Sequence, residues 1–326
     1  MASFPQGRYH QTCLTDLKTS KPIFAIAGPT ASGKTALGAA LALRVGGEVV
    51  NFDSVQIYRG IEIATAKPTV EERRGVPHHL IDYVDPNVNY TAADWAKDAA
   101  SKIADIESRG HVPILVGGTG FYLRTLMNPL FDSPSTDPVI RDRLRAIKEK
   151  RGPEFLHRLL AKIDTVAAAK LFPRDYPRVM RALEFYFQNG QLFSEHQPKR
   201  DVPPEFASRI RLIVLDPPRD VLYEKINARA DAHFAAELVD EVRRLRASGI
   251  KDETNALGSH GYRRVCEYLR GERTLESAVE RSKQDVRNYA KRQLTWFRRE
   301  DVWLWIHGFG TEDRVVDQIE SLLGTG

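Results

Sequence analysis

Cysteine is scarce in this chain, with Cys13 and Cys266 as the two examples among 326 residues. Two distant thiols cannot form a disulfide framework or a four-thiolate zinc site, so we expect both to be free. No unbroken apolar run approaches the roughly 18 residues that a membrane helix needs, and we expect no membrane partner. The first residues lack the apolar core of a secretory signal, which predicts a flexible leader at 1–21 and a cytoplasmic location.

A large excess of one charge sign is also missing, because 48 Lys and Arg face 43 Asp and Glu, for a net charge of +5. The apolar fraction of 42% is that of an ordinary folded protein and excludes disorder as the main state. At about 150 residues per domain, the length predicts two domains or one domain with a large insertion. The charge is unevenly placed, since the segment 281–300 carries seven basic and two acidic side chains.

Short apolar runs alternate with helix-patterned segments in the first part of the chain. The predicted strands are 22–27, 48–52 and 112–116, and the predicted helices are 35–45 and 92–108. A capping box at Thr91 and Asp94 opens the second helix. Strands that alternate with helices form parallel sheets covered on both faces, so the predicted fold class is α/β, with ligands at the carboxyl ends of the strands.

The alternation of strand and helix patterns ends near Leu130. A turn-rich stretch is followed by charged, helix-patterned segments, until the apolar run 211–216 predicts one more strand. We therefore predict a helical insertion domain at 131–205, inside a core formed by 22–130 and 206–326. The later part of that core, 219–305, has a helical pattern.

A full match to the phosphate-loop pattern G-x-x-x-x-G-K-[ST] is present at Gly28-Pro29-Thr30-Ala31-Ser32-Gly33-Lys34-Thr35. It follows a predicted strand and opens a predicted helix, as the pattern requires. Backbone N–H groups of such a loop converge on phosphate oxygens, Lys34 adds a positive charge and Thr35 offers a hydroxyl to Mg²⁺. The motif predicts a P-loop nucleoside-triphosphate-hydrolase-like core with nucleotide binding, and on its own it favours an ATP-binding kinase or ATPase.

Polar groups at two other strand ends each allow two interpretations. Asp53 follows the second strand, where a carboxylate accepts a proton or holds a metal; an isolated Asp there is more often a turn or cap residue. Gly117-Gly118-Thr119 follows 112–116 and allows either close approach of the backbone to a ligand or a tight turn. His78 and His79 are isolated from other ligand types, and we interpret them as structural or as supporting residues that contact a ligand.

Eight segments occur together in an order known from one family: 28–35, 53–60, 65–69, 77–82, 117–122, 178–184, 261–262 and 291–296. Together they resemble the tRNA dimethylallyltransferase (tRNA isopentenyltransferase) family, over about residues 22 to 300. The resemblance implies Mg²⁺-dependent transfer of a dimethylallyl group from dimethylallyl diphosphate to N6 of adenosine 37, 3′ of the anticodon, in tRNAs that read UNN codons. No Cys/His zinc-finger sequence follows Trp305, which favours the bacterial type.

The resemblance also implies roles for individual residues. Asp53 is implied as the general base, and Lys34 and Thr119 complete the catalytic set. The diphosphate is implied to bind the whole loop from Gly28 to Thr35 together with Arg229, with Mg²⁺ on Thr35. Contacts to the tRNA anticodon stem-loop are implied for Asp53, Ser54, Val55, Gln56, Thr119, Arg141, Pro177, Arg178, Val179, Met180 and Arg181. The enzyme is expected to act as a monomer.

Other functions remain compatible with these residues. The nearest is the same chemistry on free adenine nucleotides; a P-loop small-molecule kinase and a non-catalytic RNA-binding module are the others. The basic segment 281–300, which includes Tyr289, Trp296 and Phe297, either packs its aromatic side chains inward and leaves its cations in solvent, or offers those cations to RNA phosphates. For the basic run that follows Arg141, a solvated helix face is the expectation.

Overall fold

A computed structural model describes residues 21–130, 136–196 and 202–323. Among these, the residues up to Met127 and from Pro204 onward form one compact unit, here called the core unit. Residues Asn128–Pro203 form a second compact unit, here called the helical unit. The insertion predicted from the sequence was 131–205. Cys13 and, apart from Lys21, the predicted leader lie outside the described residues.

A parallel sheet forms the centre of the core unit. Its described strands are β1 Ile23–Ala27, β2 Gly47–Asn51, β3 His78–His79, β4 Val112–Val116, β5 Ile210–Leu215 and β6 Leu304–Ile306. The strand order is β3-β2-β4-β1-β5-β6, and every pairing is parallel. The predicted α/β fold class is therefore confirmed, and so are the four strands predicted for this sheet.

Helices connect the strands and build the second unit. In chain order the helices are α1 Lys34–Val45, α2 Val70–Arg73, α3 Ala92–Ser108, α4 Gly120–Met127, α5 Pro138–Arg151, α6 Pro153–Ile163, α7 Thr165–Ala169, α8 Tyr176–Asn189, α9 Phe193–His196, α10 Arg219–Ala235, α11 Leu238–Ala247, α12 His260–Leu269, α13 Leu275–Phe297 and α14 Asp313–Leu323. The capping box predicted at the start of α3 is present. Across the described ranges, the helices are too short or too polar to cross a membrane.

The longer strands of the sheet contribute alternate side chains to two apolar layers. In β1, Ile23 and Ala25 lie in one layer, and Phe24 and Ile26 lie in the other. The first layer is closed by α3, α4 and α13, and the second by α1 and α14. Because both faces are covered, the polar ends of the strands are the natural place for a ligand site.

Two short edge strands were missed by the sequence analysis. β3 has only two residues and pairs with β2. β6 pairs with β5, with Leu215 opposite Ile306, although the helical pattern expected over 219–305 included Leu304 and Trp305. That part of the prediction was wrong, because pairing with a distant strand, and not local periodicity, fixes such short segments.

The helical unit has an apolar core that encloses the carboxylate of Glu184. Leu144, Leu160 and Leu183 are among its buried residues. Glu184 is 1% exposed, and its two carboxylate oxygens accept hydrogen bonds from Arg141 at 2.7 and 3.0 Å. A buried carboxylate needs such a bidentate partner, which gives Arg141 a structural role in this unit.

Candidate active site

The phosphate loop joins β1 to α1 at the carboxyl edge of the sheet. Gly33 adopts a left-handed φ of 83° immediately before α1, so the first N–H groups of the helix face the loop. Ala31 also has a positive φ of 63°, which is costly for a residue with a Cβ. Ser32 is completely buried, and its Oγ has no hydrogen-bond partner among the described residues. An orphan hydroxyl inside a strained loop is a group that a bound anion satisfies.

Two cations lie beside this loop without a carboxylate bound to either. Lys34 Nζ donates to the carbonyl of Pro29 at 2.6 Å. Burial lowers the pKa of Lys34 to about 8, with Asp53 opposing the shift and Arg229 adding to it. The Arg229 guanidinium makes no hydrogen bond or ion pair within the described part of the chain, and burial lowers its pKa as well. Desolvated, incompletely paired cations favour a ligand with several negative charges.

Asp53 lies just beyond β2, and its two carboxylate oxygens have different surroundings. Its Oδ1 accepts hydrogen bonds from the N–H groups of Val55 at 2.9 Å and Gln56 at 3.4 Å, which closes a turn. Its Oδ2 has no hydrogen-bond partner in the described ranges. The carboxylate is close enough to Lys34 and Arg229 to affect their pKa values. One oxygen thus fixes the side chain, and the other is available to accept a proton.

Thr119 holds Ser54, the residue that follows Asp53, by two hydrogen bonds. Its Oγ1 accepts a hydrogen bond from the Ser54 N–H at 3.0 Å and donates to the Ser54 Oγ at 3.2 Å. The Thr119 N–H also donates to the carbonyl of Phe52 at 3.2 Å. These bonds tie the end of β4 to the end of β2 on both sides of Asp53, so Thr119 positions the carboxylate.

Gln293 is a site residue to which the sequence analysis gave no role. It lies on α13 and is 5% exposed. Its Oε1 accepts from the Thr30 N–H at 2.9 Å, and its Nε2 donates to the carbonyl of Gly118 at 2.9 Å. A Cβ on Gly118 would lie 2.2 Å from this Nε2, so the Gly-Gly pair admits a protein side chain. The only signal for Gln293 in the sequence was its place in the segment 291–296.

Two cavities open next to Asp53. The smaller, of about 60 Å³, is lined by Asp53, Arg229 and a majority of apolar side chains that includes Ile226 and Phe234. The larger, of about 610 Å³, is lined by tyrosines and arginines: Tyr58, Tyr90, Tyr122, Tyr289, Arg263, Arg264 and Arg292. Val55, Ser259, His260 and Tyr289 line both cavities. The arrangement suits a small apolar group beside the phosphate loop and a larger polar, planar ligand across a shared wall.

The remaining predicted site residues are divided between the two units. In the core unit, Ser54 and Val55 line the larger cavity, while Gln56 Nε2 donates to the carbonyls of Ala66 at 2.8 Å and Thr65 at 3.3 Å. The Gln56 amide N–H₂ group therefore holds a loop of the protein itself.

In the helical unit, the five consecutive predicted residues differ in accessibility. Pro177 and Arg178 are exposed, and Arg181 donates to the Thr136 hydroxyl at 2.6 Å. Val179 is 0% and Met180 6% exposed, and both pack in the core of the helical unit. The expectation of RNA contacts is corrected for these two side chains, because they are enclosed by protein.

The aromatic and basic side chains of α13 have different surroundings. Phe297 is buried in the apolar core. Lys283 forms an ion pair with Asp231 at 2.8 Å. Arg292, in contrast, lines the larger cavity. The excess charge of this segment is thus partly compensated by the protein and partly directed to the site.

Known proteins of one family match this chain over most of its length. A sequence model of the family described as IPP transferase matches residues 56–300. A tRNA dimethylallyltransferase from Geobacter metallireducens is 47% identical over 295 residues, which are 90% of this chain and 95% of the relative. The chain belongs to the IPP transferase family.

Solved structures of related proteins share the fold. A full-length tRNA isopentenylpyrophosphate transferase from Bacillus halodurans is 38% identical, with a TM-score of 0.68 over 94% of this chain and 96% of its own. A eukaryotic dimethylallyltransferase, solved acting on tRNA, is 30% identical with a TM-score of 0.75 over 94% of this chain and 78% of its own. The family resemblance seen in the sequence is therefore confirmed over most of the chain.

Proposed function

We propose that this protein transfers the dimethylallyl group of dimethylallyl diphosphate to N6 of adenosine 37 in tRNAs that read UNN codons. The products are N6-dimethylallyladenosine and diphosphate. Family membership supports the reaction class. The observation that carries the assignment to this site is the free carboxylate oxygen of Asp53, whose side chain lines a small cavity together with Thr30 and Ala31 of the phosphate loop.

The phosphate loop is assigned to the diphosphate, which is the leaving group. The C–O bond to the allyl carbon breaks as the bond from N6 to that carbon forms, and the electron pair departs with the diphosphate. Lys34 and Arg229 stabilise the charge that develops there, and the buried Ser32 hydroxyl gains its missing partner. The apolar cavity next to the loop takes the five-carbon chain.

Thr35 is the residue that would hold Mg²⁺. Its hydroxyl makes no hydrogen bond with any described residue, and no group of three or more His, Cys, Asp or Glu side chains among those residues forms a metal cage. Mg²⁺ retains several waters and binds through one or two protein oxygens plus substrate phosphates, so a single hydroxyl beside a diphosphate fits it. The ion supplies charge neutralisation for the leaving group.

Asp53 is assigned as the general base, because the exocyclic amine of adenine must lose a proton as it becomes alkylated. The Oδ2 without a partner accepts that proton while Oδ1 stays in its turn. The target base must leave the anticodon-loop stack to reach Asp53. We assign the larger, tyrosine-lined cavity to this flipped adenosine, with Thr119 positioning the Ser54–Asp53 turn and Gln56 holding the adjoining loop. We place this reaction in the cytoplasm, catalysed by a monomer.

The assignment is tested by a choice of acceptor. Labelled dimethylallyl diphosphate and Mg²⁺ are incubated with the protein and either unmodified tRNA or AMP and ATP. The proposal predicts label in tRNA and none in the free nucleotides; label in the nucleotides alone would contradict it. Consumption of ATP with a small-molecule acceptor would indicate a kinase, and tRNA binding without any transfer would indicate a binding module.

A further inference from the structure

The two cavities beside Asp53 meet at a wall that lines both of them. Val55, Ser259, His260 and Tyr289 form this wall, here called the partition. Its two rings are in contact, because the ring centres of His260 and Tyr289 lie 4.5 Å apart, with the planes inclined at 52°. His260 is the first residue of α12 and Tyr289 lies on α13, so two packed helices hold the partition in place.

The partition lies between Asp53 and the larger cavity. Of the two cavities, Asp53 lines the smaller, whereas the next residue, Ser54, lines the larger. In the proposed reaction the adenosine enters the larger cavity, yet its N6 must reach the Asp53 carboxylate and the allyl carbon in the smaller one. N6 therefore has to pass the partition. The contact between His260 and Tyr289 belongs to the state before the base arrives, and the two rings separate when it enters.

Both rings of the partition are uncharged at neutral pH. Burial lowers the pKa of His260, against an opposing effect of Asp53. Burial raises the pKa of Tyr289, and Asp53 adds to that shift. The Tyr289 hydroxyl lies near the side chains of Thr119 and Gln293, which oppose the shift by hydrogen bonding. Two neutral rings in contact, with the polar atom of one turned towards protein groups, are suited to exclude water.

Water competes with adenosine as an acceptor for an allyl diphosphate. In hydrolysis, the C–O bond to the allyl carbon breaks and its electron pair leaves with the diphosphate. The water oxygen bonds to that carbon, and its proton passes to Asp53 and then to solvent. The products are a five-carbon alcohol and diphosphate, so the donor is lost without transfer. Excluding water until the acceptor is in place prevents this side reaction.

We propose that His260 and Tyr289 select adenosine over water as the acceptor, by closing the donor cavity to water until the base enters. The inference rests on the proposed function, because it requires an allyl diphosphate in the smaller cavity. If Tyr289 served only to support Gln293, its loss would lower hydrolysis and transfer together. Loss of the partition instead raises hydrolysis relative to transfer.

The test measures the ratio of dimethylallyl alcohol to prenylated tRNA that the full-length protein forms from labelled dimethylallyl diphosphate, Mg²⁺ and unmodified tRNA. Tyr289→Ala and His260→Ala each remove one ring, and Tyr289→Phe keeps both. Tyr268→Ala is the matched control, because Tyr268 lies on α12 outside the described lining of both cavities. Unfolded protein makes neither product, so the ratio does not depend on the folded fraction.

We expect the ratio to rise about tenfold in Tyr289→Ala and in His260→Ala. It should stay within about twofold of the unmodified protein in Tyr289→Phe, which keeps the barrier, and in Tyr268→Ala. An unchanged ratio in both cavity-lining alanine variants, or an equal rise in Tyr268→Ala, would overturn the partition.

The partition and the proposed function fail in different ways. Alcohol release is also measured without tRNA, and transfer to tRNA is measured for the unmodified protein. Transfer by the unmodified protein, with the same alcohol release in every variant, contradicts the partition alone. Raised alcohol release in Tyr289→Ala and His260→Ala, without transfer by the unmodified protein, supports the partition and contradicts the proposed acceptor.

Discussion

Strand β2 has a carboxylate at its start and another just beyond its end, and the two differ in whether protein cations pair with them. At its start, Glu48 is 2% exposed, yet it is bound by Arg109 and lies 2.6 Å from His79 Nε2 and 3.1 Å from His111 Nδ1. Just beyond its end, Asp53 keeps an oxygen free beside cations that no carboxylate binds. The carboxylate at the start of β2, here called the completed end, is paired with protein cations, whereas Asp53 at the carboxyl edge of the sheet, here called the incomplete edge, is not.

Groups that are paired within the protein stabilise the fold, whereas unpaired groups are available to bind a ligand. His79 lies 2.6 Å from Glu48 at the completed end, whereas the buried Nε2 of the neighbouring His78 has no hydrogen-bond partner among the described residues. The incomplete edge holds the buried Ser32 hydroxyl without a partner and the desolvated Lys34. Arg229 of α10 lines the adjoining cavity without an ion pair among the described residues. Unsatisfied polar groups reduce stability, so two desolvated cations beside an orphan hydroxyl at the carboxyl edge indicate a site.

The largest expected effect comes from changing Asp53. Asp53→Asn keeps an Oδ1 that accepts from Val55 N–H, but it removes the basic oxygen, so transfer to tRNA should fall about a thousandfold. Affinity for tRNA and the thermal unfolding temperature should hardly change. Asp216→Asn is the matched control, because Asp216 follows β5 at the same edge and lies 3.8 Å from Arg298. An equal loss of transfer in Asp53→Asn and Asp216→Asn would contradict a specific role of Asp53 as the base.

Gln293→Leu should have the next largest effect on transfer. The variant leaves the Thr30 N–H and the Gly118 carbonyl without partners, so the phosphate loop and the β4 loop lose their shared support. We expect a loss of about a hundredfold in kcat/KM for dimethylallyl diphosphate. Gly118→Ala should reproduce this loss by displacing Gln293, whereas Gln284→Leu, on the same helix, should have little effect. Wild-type kinetics in Gln293→Leu would show that the bridge is dispensable.

Lys34 makes diphosphate binding depend on pH. The free protein loses the Lys34 proton as the pH rises through about 8, because burial has lowered this pKa. A bound diphosphate favours the charged form, so affinity for inorganic diphosphate should fall about tenfold between pH 7 and pH 9. Calorimetric titration of the wild type and of Lys34→Met checks this. The same slope in both proteins would assign the dependence to another group.

The smallest effect on activity is expected at the completed end of β2. Hydrogen bonds from Arg109 and His79 lower the pKa of Glu48 to about 2. The stabilisation is present above the ordinary Glu pKa and is lost as the pH falls towards 2, because protonation then releases Arg109. Glu48→Gln should cost about 2 kcal/mol of unfolding free energy at pH 7 and leave the transfer rate unchanged. Chemical denaturation, with the exposed Asp105→Asn as control, measures the difference.

Local patterns predicted the sheet interior and the phosphate loop because their signals lie within a few residues. Apolar runs marked β1, β2, β4 and β5, and adjacent capping residues marked α3. The edge strands β3 and β6 have no such signal, since pairing with a neighbour defines them. The position of Gln293 in the site was not predicted for the same reason. Its hydrogen bonds reach 263 and 175 residues back along the chain, and only the folded structure brings these groups together.

The most direct measurement locates the product. Unmodified tRNA is incubated with dimethylallyl diphosphate, Mg²⁺ and either the wild-type protein or Asp53→Asn, and the digested RNA is analysed by mass spectrometry. We predict one added five-carbon unit on N6 of adenosine 37 with the wild type and a trace of it with Asp53→Asn. Modification at another nucleotide, or equal modification by both proteins, would contradict the proposal that the incomplete edge of the sheet carries this chemistry.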